Sequence, residues 1–195
     1  MSHHIYHTRG IILASTETGE SNRFYKIFTE ELGLIGGTAQ SVREGKSKLR
    51  YTLQDYSLVT VDLVRGKEVW RIVSAGAWQP LEAIKADEIR MRLFGRFCAL
   101  LSRLLQGEGQ DQDLFDEILR VTNFLEDNAI PQELAASLET LMALRVLVHL
   151  GYMNPEGYRE YLGPEVYSVS VLEQLEKERL VIIPKINEAL SASHL

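Results

Sequence analysis

The chain has 195 residues, a net charge of −6, 45% hydrophobic residues and a single cysteine, Cys98. One cysteine excludes an intramolecular disulfide and a cysteine-rich zinc site, and the hydrophobic content excludes a disordered chain. No apolar run approaches membrane-spanning length and the N-terminus lacks a charged-then-apolar secretion signal, so a cytoplasmic protein with no membrane partner is expected.

The first part of the chain reads as strands. Ile5 to Ala14 is apolar and β-prone, and Ser15-Thr16-Glu17-Thr18-Gly19-Glu20 has the composition of a turn. Arg23 to Thr29 is a second strand. Leu32-Gly33-Leu34 reads as a tight turn, and Ile35 to Val42 as a third strand with a bulge or bend at Gly36-Gly37. A loop follows, then a long strand from Leu53 to Val64 in which Val59, Val61 and Leu63 alternate with Thr60 and Asp62. A turn at Arg65 to Glu68 leads into Val69 to Ser74. Five short strands with glycine-marked bends predict a small closed barrel, with an OB-fold as the leading candidate.

The period then changes. Residues 76–83 form a linker around Pro80. Ile89, Leu93, Phe97, Leu100 and Leu104 recur at helical spacing, as do Leu114, Ile118, Val121 and Leu125. A third helix runs from Pro131, in its first turn, through Leu134 to Leu150, with Gly151 as its C-terminal stop. Leu141 to Leu150 is apolar nearly all round, which predicts a buried central helix. Two shorter helices are expected at Ser170 to Arg179 and Pro184 to Ala192. The predicted fold is therefore multi-domain α and β: an N-terminal OB-fold β-barrel over 1–78, then an all-α helical domain over 79–195.

No enzymatic motif stands out. The glycines at 33, 36 and 37 match neither a phosphate loop nor a dinucleotide fingerprint, and no helix carries a metal-spaced His pair. His3, His4 and His7 have no further ligands at a recognisable spacing, so no metal site is expected there. Arg145 and His149 share a face of the buried helix, where a satisfied core contact is expected, and Cys98 reads as a buried structural thiol. No catalytic residue and no cofactor is assigned.

Charge is more informative. Residues 1–80 hold ten Lys/Arg against eight Asp/Glu, and the rest of the chain holds eleven against nineteen. Four of the cations, Arg43, Lys46, Lys48 and Arg50, fall in eight residues of the loop before the Leu53 strand. A basic loop on an acidic chain points to polyanion contact, or else to a solvated turn. In an Arg23–Thr29 strand, Arg23 and Tyr25 share one face and Phe24, Lys26 and Phe28 the other. A face pairing a cation with an aromatic ring has the composition of a groove that stacks single-stranded bases. Arg43, Lys46, Lys48 and Arg50, with Arg23, Lys26 and Tyr25, are the candidate nucleic-acid residues.

Several of these segments together resemble a family. Gly10-Ile11-Ile12-Leu13, Gly19-Glu20 with Arg23, Phe28-Thr29-Glu30-Glu31-Leu32-Gly33, Val42-Arg43, Ser47-Lys48-Leu49-Arg50, Leu53-Gln54 and the strand from Leu63 to Trp70-Arg71-Ile72 resemble, in order and spacing, the opening of the RecO recombination mediators. Leu144 to Gly151-Tyr152 resembles more loosely that family's leucine-rich helix ending in Leu-Gly-Tyr. The resemblance implies an OB-fold, a helical domain, and a non-enzymatic role in recombinational DNA repair. That role is binding single- and double-stranded DNA, annealing complementary strands, and helping load recombinase onto strands coated by single-strand-binding protein (SSB). It implies as partners the acidic C-terminal tail of SSB and the RecR mediator. Many members carry a four-cysteine zinc motif after Leu-Gly-Tyr; here Met153 to Tyr158 has none, and Tyr152, Tyr158 and Tyr161 are expected to fill that volume. Arg145, with Arg92, Arg96 and Arg103, is the candidate set for the SSB tail, with an internal ion pair as the competing role for Arg145. Competing readings of the whole chain are a protein-interaction adaptor and an RNA-binding OB protein.

Overall fold

The computed structural model describes residues 4–192, so the expectation for His3 falls outside it. Five strands, β1 (Ile5–Thr18), β2 (Asn22–Thr29), β3 (Gly33–Ala39), β4 (Leu58–Arg65) and β5 (Trp70–Gln79), close a barrel in the order β1-β2-β3-β5-β4. β1 pairs antiparallel with both β2 and β4, and β3 meets β5 in parallel at Gly37↔Trp70 and Thr38↔Arg71. This closure, with a short helix α1 (Leu49–Thr52) between β3 and β4, is the OB-fold.

The alternation seen in the sequence places the core. Val59, Val61 and Leu63 point inward with Ile12, Tyr25, Ile27, Ile35, Trp70 and Ile72. A register shift between Ile12 and Ala14 bends β1, so that one strand serves two neighbours.

Five expectations are corrected. Ser15 to Thr18 is strand: it pairs with Asn22 to Tyr25, and the turn is confined to Gly19–Ser21. Gly36 and Gly37 sit in unbroken register opposite Lys26 and Tyr25; the Phe24 ring lies where a Cβ on Gly36 would be, 2.6 Å from its Cζ. The segment from Leu53 to Ser57 is not strand, because β4 starts at Leu58, and β5 runs on to Gln79 instead of ending at Ser74. The two expected C-terminal helices are one, α6 (Val169–Ala192), with Pro184 inside it. Pro184 removes the bond to the Leu180 carbonyl, but Leu180 is 77% exposed, where water can satisfy that oxygen.

The remaining helices are α2 (Glu82–Ala86), α3 (Glu88–Leu104), α4 (Gln112–Asp127) and α5 (Ala135–His149). Where the sequence divides at 78/79, the compact units comprise 1–81 with 105–115, and 82–104 with 116–195. The segment 105–115 belongs to the barrel unit: Gly33 bridges to Glu108, the Gly109 N–H donates to the Leu32 carbonyl at 3.0 Å, and the Phe115 ring meets Phe28 and stacks on Trp78. Gly33 has φ +68°, and a Cβ there would stand 2.0 Å from the Gly109 oxygen.

In the helical unit α5 is the central helix, packed against α3 and α6 and buried along most of its length. It ends as expected at Gly151: the Gly151 N–H donates to Val148 and the Tyr152 N–H to Leu147, closing the last turn. Asp87 and Ser168 cap α3 and α6 by accepting the backbone N–H groups of Arg90 and Val171. Tyr158 and Tyr161 are buried as expected, whereas Tyr152 is exposed. His149 is exposed too and is not the core partner of Arg145. Among the described residues no helix is long and apolar enough to cross a membrane, and no three His, Cys, Asp or Glu side chains gather as metal ligands.

Candidate nucleic-acid interface

The basic loop connects β3 to β4, and its two ends are anchored. Val42 and Leu53 are sealed in the barrel core. The Arg43 N–H donates to the Ser21 carbonyl at 3.1 Å, and the Ser41 N–H to Asn22 Oδ1 at 3.0 Å. Between the anchors the backbone turns on itself, Glu44 N–H to Ser41, Ser47 N–H to Glu44 and Tyr51 N–H to Lys48, before α1 returns the chain at Leu53. A loop pinned in this way presents its side chains at low entropic cost.

The cations then divide into classes. Lys46, Lys48 and Arg50 are exposed and form no ion pair among the described residues. Arg43 is partly committed: its guanidinium donates to the Gly19 and Glu20 carbonyls at 3.4 and 3.2 Å and pairs with Glu17 at 3.1 Å. Glu17 also lies 3.7 Å from Arg23. Arg23, Arg43 and Arg50 converge, with Glu17, Tyr25 and Val42, on a recess of about 330 Å³. Lys26 stands apart from them, on the face of β2 opposite to Tyr25.

Tyr25 is corrected. It is 1% exposed, with its ring in the barrel core. Alternation does sort β2 into these two faces, but the face with Arg23 and Tyr25 turns inward, so this ring is not a stacking platform. Burial pushes the Tyr25 hydroxyl up in pKa while the neighbouring Arg23 opposes it, so the group stays a neutral donor at the base of the recess. The exposed ring is Tyr51, at 72%, next to Arg50 on α1. Its signal was its place directly after the basic run.

Arg145 is also corrected as a partner-binding residue. It is 8% exposed and bidentate to Glu117, with Nε–Oε1 2.5 Å and Nη2–Oε2 2.6 Å. Its Nη1 donates to the carbonyls of Tyr161 and Gly163 at 2.8 and 3.0 Å. The Tyr167 hydroxyl donates to Glu117 Oε1 at 2.5 Å, and Arg120 donates to Oε2 at 3.1 Å. Burial alone would raise the Glu117 carboxyl, but the hydrogen bonds from Arg145 and Tyr167 and the Arg145 charge hold it below its ordinary value. The internal pair therefore accounts for this guanidinium.

The other arginines of that set separate. Arg96 and Arg103 line a cleft of about 550 Å³ among α3, α5 and α6, with Arg179 from α6. Its apolar lining includes Phe97, Leu100, Met142, Ile183, Ile186 and Leu190. Arg96 pairs with Glu139 at 2.6 Å and Arg179 with Glu176 at 3.0 Å. Arg92 is exposed and does not line the cleft.

Residues 1–80 match the family model described as recombination protein O N terminal. A DNA repair protein RecO from Dehalococcoides mccartyi is 31% identical over 131 residues, 67% of this chain and 51% of the relative. One from Clostridium novyi is 25% identical over 141 residues, 72% of this chain and 55% of the relative. One from Gloeothece citriformis is 24% identical over 170 residues, 87% of this chain and 59% of the relative. The chain thus spans little more than half the length of these relatives. With the barrel matched end to end, and similarity reaching into the helices, the chain is a RecO-type protein.

Proposed function

We propose that this chain binds DNA through the rim of its barrel and acts as a recombination mediator. The observation that carries this reading is the pinned loop, which offers Lys46, Lys48 and Arg50 without partners among the described residues and Tyr51 beside them. Cations without partners can neutralise phosphates, and an exposed ring can stack on any base. Neither reads sequence, and annealing needs only that strand repulsion fall while base edges stay free. In this reading the protein is not an enzyme and takes no cofactor. It binds single- and double-stranded DNA, anneals complementary strands and, with RecR, helps load recombinase onto SSB-coated DNA.

A titration of single-stranded DNA affinity against salt tests this. About four phosphate contacts give a slope near −3 in log affinity against log salt. Changing Lys46, Lys48 and Arg50 together to Ala should weaken binding for all sequences and flatten the slope to about −1. Affinity and slope that survive the triple change would falsify the reading and favour an adaptor with a solvated loop. A strong preference for RNA would favour the RNA-binding alternative.

The helical cleft supports a second contact, with the SSB tail. An acidic peptide ending in an apolar residue needs an apolar groove with a few placed cations. The cleft combines Phe97, Leu100 and Ile186 with Arg96 and Arg103, although this part of the sequence is acidic as a whole.

A further inference from the structure

Resting on the DNA-binding reading, we propose that the recess of Arg23, Arg43 and Arg50 is a site for the terminal phosphate of a DNA strand, held closed by Glu17. Three guanidiniums converge there against one carboxylate, which leaves a formal excess of two positive charges. An internal phosphodiester carries one negative charge, whereas a terminal phosphomonoester carries about −1.5 to −2 at neutral pH. The charge of the recess therefore matches a strand end.

Shape favours the same ligand. The lining includes Tyr25 and Val42, both sealed in the barrel core, so the recess has a closed floor and is more than a strip of surface cations. A phosphate tied to the chain by one ester bond can enter such a recess. One tied by two must bring both flanking sugars with it. The donors match too: among the described residues Arg50 forms no ion pair or hydrogen bond, and Arg23 is held to Glu17 at no better than 3.7 Å. Arginine forks suit tetrahedral oxyanions, and the neutral Tyr25 hydroxyl can add a further donor.

Glu17 stands in for the ligand. Its two oxygens reach Arg43 at 3.1 Å and Arg23 at 3.7 Å, as two oxygens of a phosphate would. It sits near the end of β1, beside the hairpin turn at Gly19–Ser21. An incoming phosphate must displace this carboxylate, so the protein's own chain competes with strand ends.

The test uses the full chain and three single-stranded 20-mers of one sequence, ending in a 5′-phosphate, a 3′-phosphate or hydroxyls only. Binding is measured at fixed salt. A phosphorylated end should bind about tenfold more tightly than the hydroxyl form, the worth of one added charge-assisted contact. Which phosphorylated oligonucleotide gains shows the end recognised. Arg50→Gln should weaken all three oligonucleotides, since Arg50 also serves the loop, and should bring the ratio of phosphorylated to hydroxyl affinity down to about one, whereas Glu17→Gln should enlarge that ratio. Arg23→Lys, which keeps the charge but loses the fork, should also reduce the gain. Equal affinity for all three ends, with salt-dependent binding intact, would overturn the terminal-phosphate site and leave DNA binding standing. Salt-insensitive or absent binding of every oligonucleotide would overturn both.

Discussion

Replacing Arg145 by Leu tests the internal role assigned to it. Glu117, itself 6% exposed, would keep Tyr167 and Arg120 but lose its bidentate partner, and the carbonyls of Tyr161 and Gly163 would lose their shared donor. Breaking a buried pair from one side costs about 3–5 kcal/mol. Because two of the three groups bonded to Glu117 remain, a value near 3 kcal/mol is expected for the charge, with about 1 kcal/mol more for the carbonyls. In a chain of this size each kcal/mol moves Tm by about 2–4 °C, so a fall of roughly 8–16 °C follows. The assay is urea and thermal unfolding followed by helical circular dichroism, which reports mainly on the helical unit. Arg145→Leu with Glu117→Leu should recover about half of the loss, because two apolar groups replace the pair while the carbonyls and the Tyr167 hydroxyl stay unsatisfied. The same pair sets a pH dependence. The folded Glu117 carboxyl lies below its unfolded value of about 4.3, so its contribution is complete above that pH and is lost as pH falls through the lower folded value. The stability gap between the natural chain and Arg145→Leu should therefore be full at neutral pH and shrink as pH falls through that lower value. A single variant costing under about 1 kcal/mol, or a double variant weaker than the single, would refute the reasoning.

Three further outcomes are expected. Tyr51→Ala should weaken single-stranded DNA binding by about 1–3 kcal/mol without changing the salt slope, since stacking releases no counterions. Gly33→Ala should cost more than about 2 kcal/mol, because left-handed strain is joined by a collision with the Gly109 oxygen; Gly19→Ala, at φ +63° in open space, should cost only the strain of roughly 1–2 kcal/mol. Arg96→Ala with Arg103→Ala should lower affinity for an acidic SSB-tail peptide at least about tenfold, read by fluorescence anisotropy, and leave DNA affinity unchanged.

The barrel was legible from its five short β-prone segments, and the inward face of β4 because Val59, Val61 and Leu63 alternate cleanly with polar neighbours. Ser15 to Thr18 was illegible for the opposite reason: these residues are half-exposed or exposed, so a paired strand there has the composition of a turn. Tyr25 shows a limit of periodicity. Alternation sorts β2 into two faces, but both faces carry large rings, since Phe28 is covered by Phe115 as Tyr25 is by the barrel. Only the closure of the sheet decides which face is inside. The basic loop was visible from its composition alone. Glu17 could not be joined to it, because the hydrogen bonds that bring Arg43 back to the β1–β2 turn span more than twenty residues. Pro184 misled because its effect depends on whether the Leu180 carbonyl faces water, a property of packing and not of local sequence.

The return of residues 105–115 to the barrel unit sets an order of assembly. All five strands have left the ribosome once Gln79 has emerged, yet Phe28 and Trp78 still lack the ring of Phe115, and Gly33 lacks its bridge to Glu108. Until about a further thirty-five residues are synthesised, α3 among them, the nascent barrel exposes an apolar face that the finished protein hides. A gene fragment cut at residue 80, just past the last strand, would make that passing state permanent. It should be sticky and poorly soluble, whereas a fragment carried through Phe115 would have the means to cover itself.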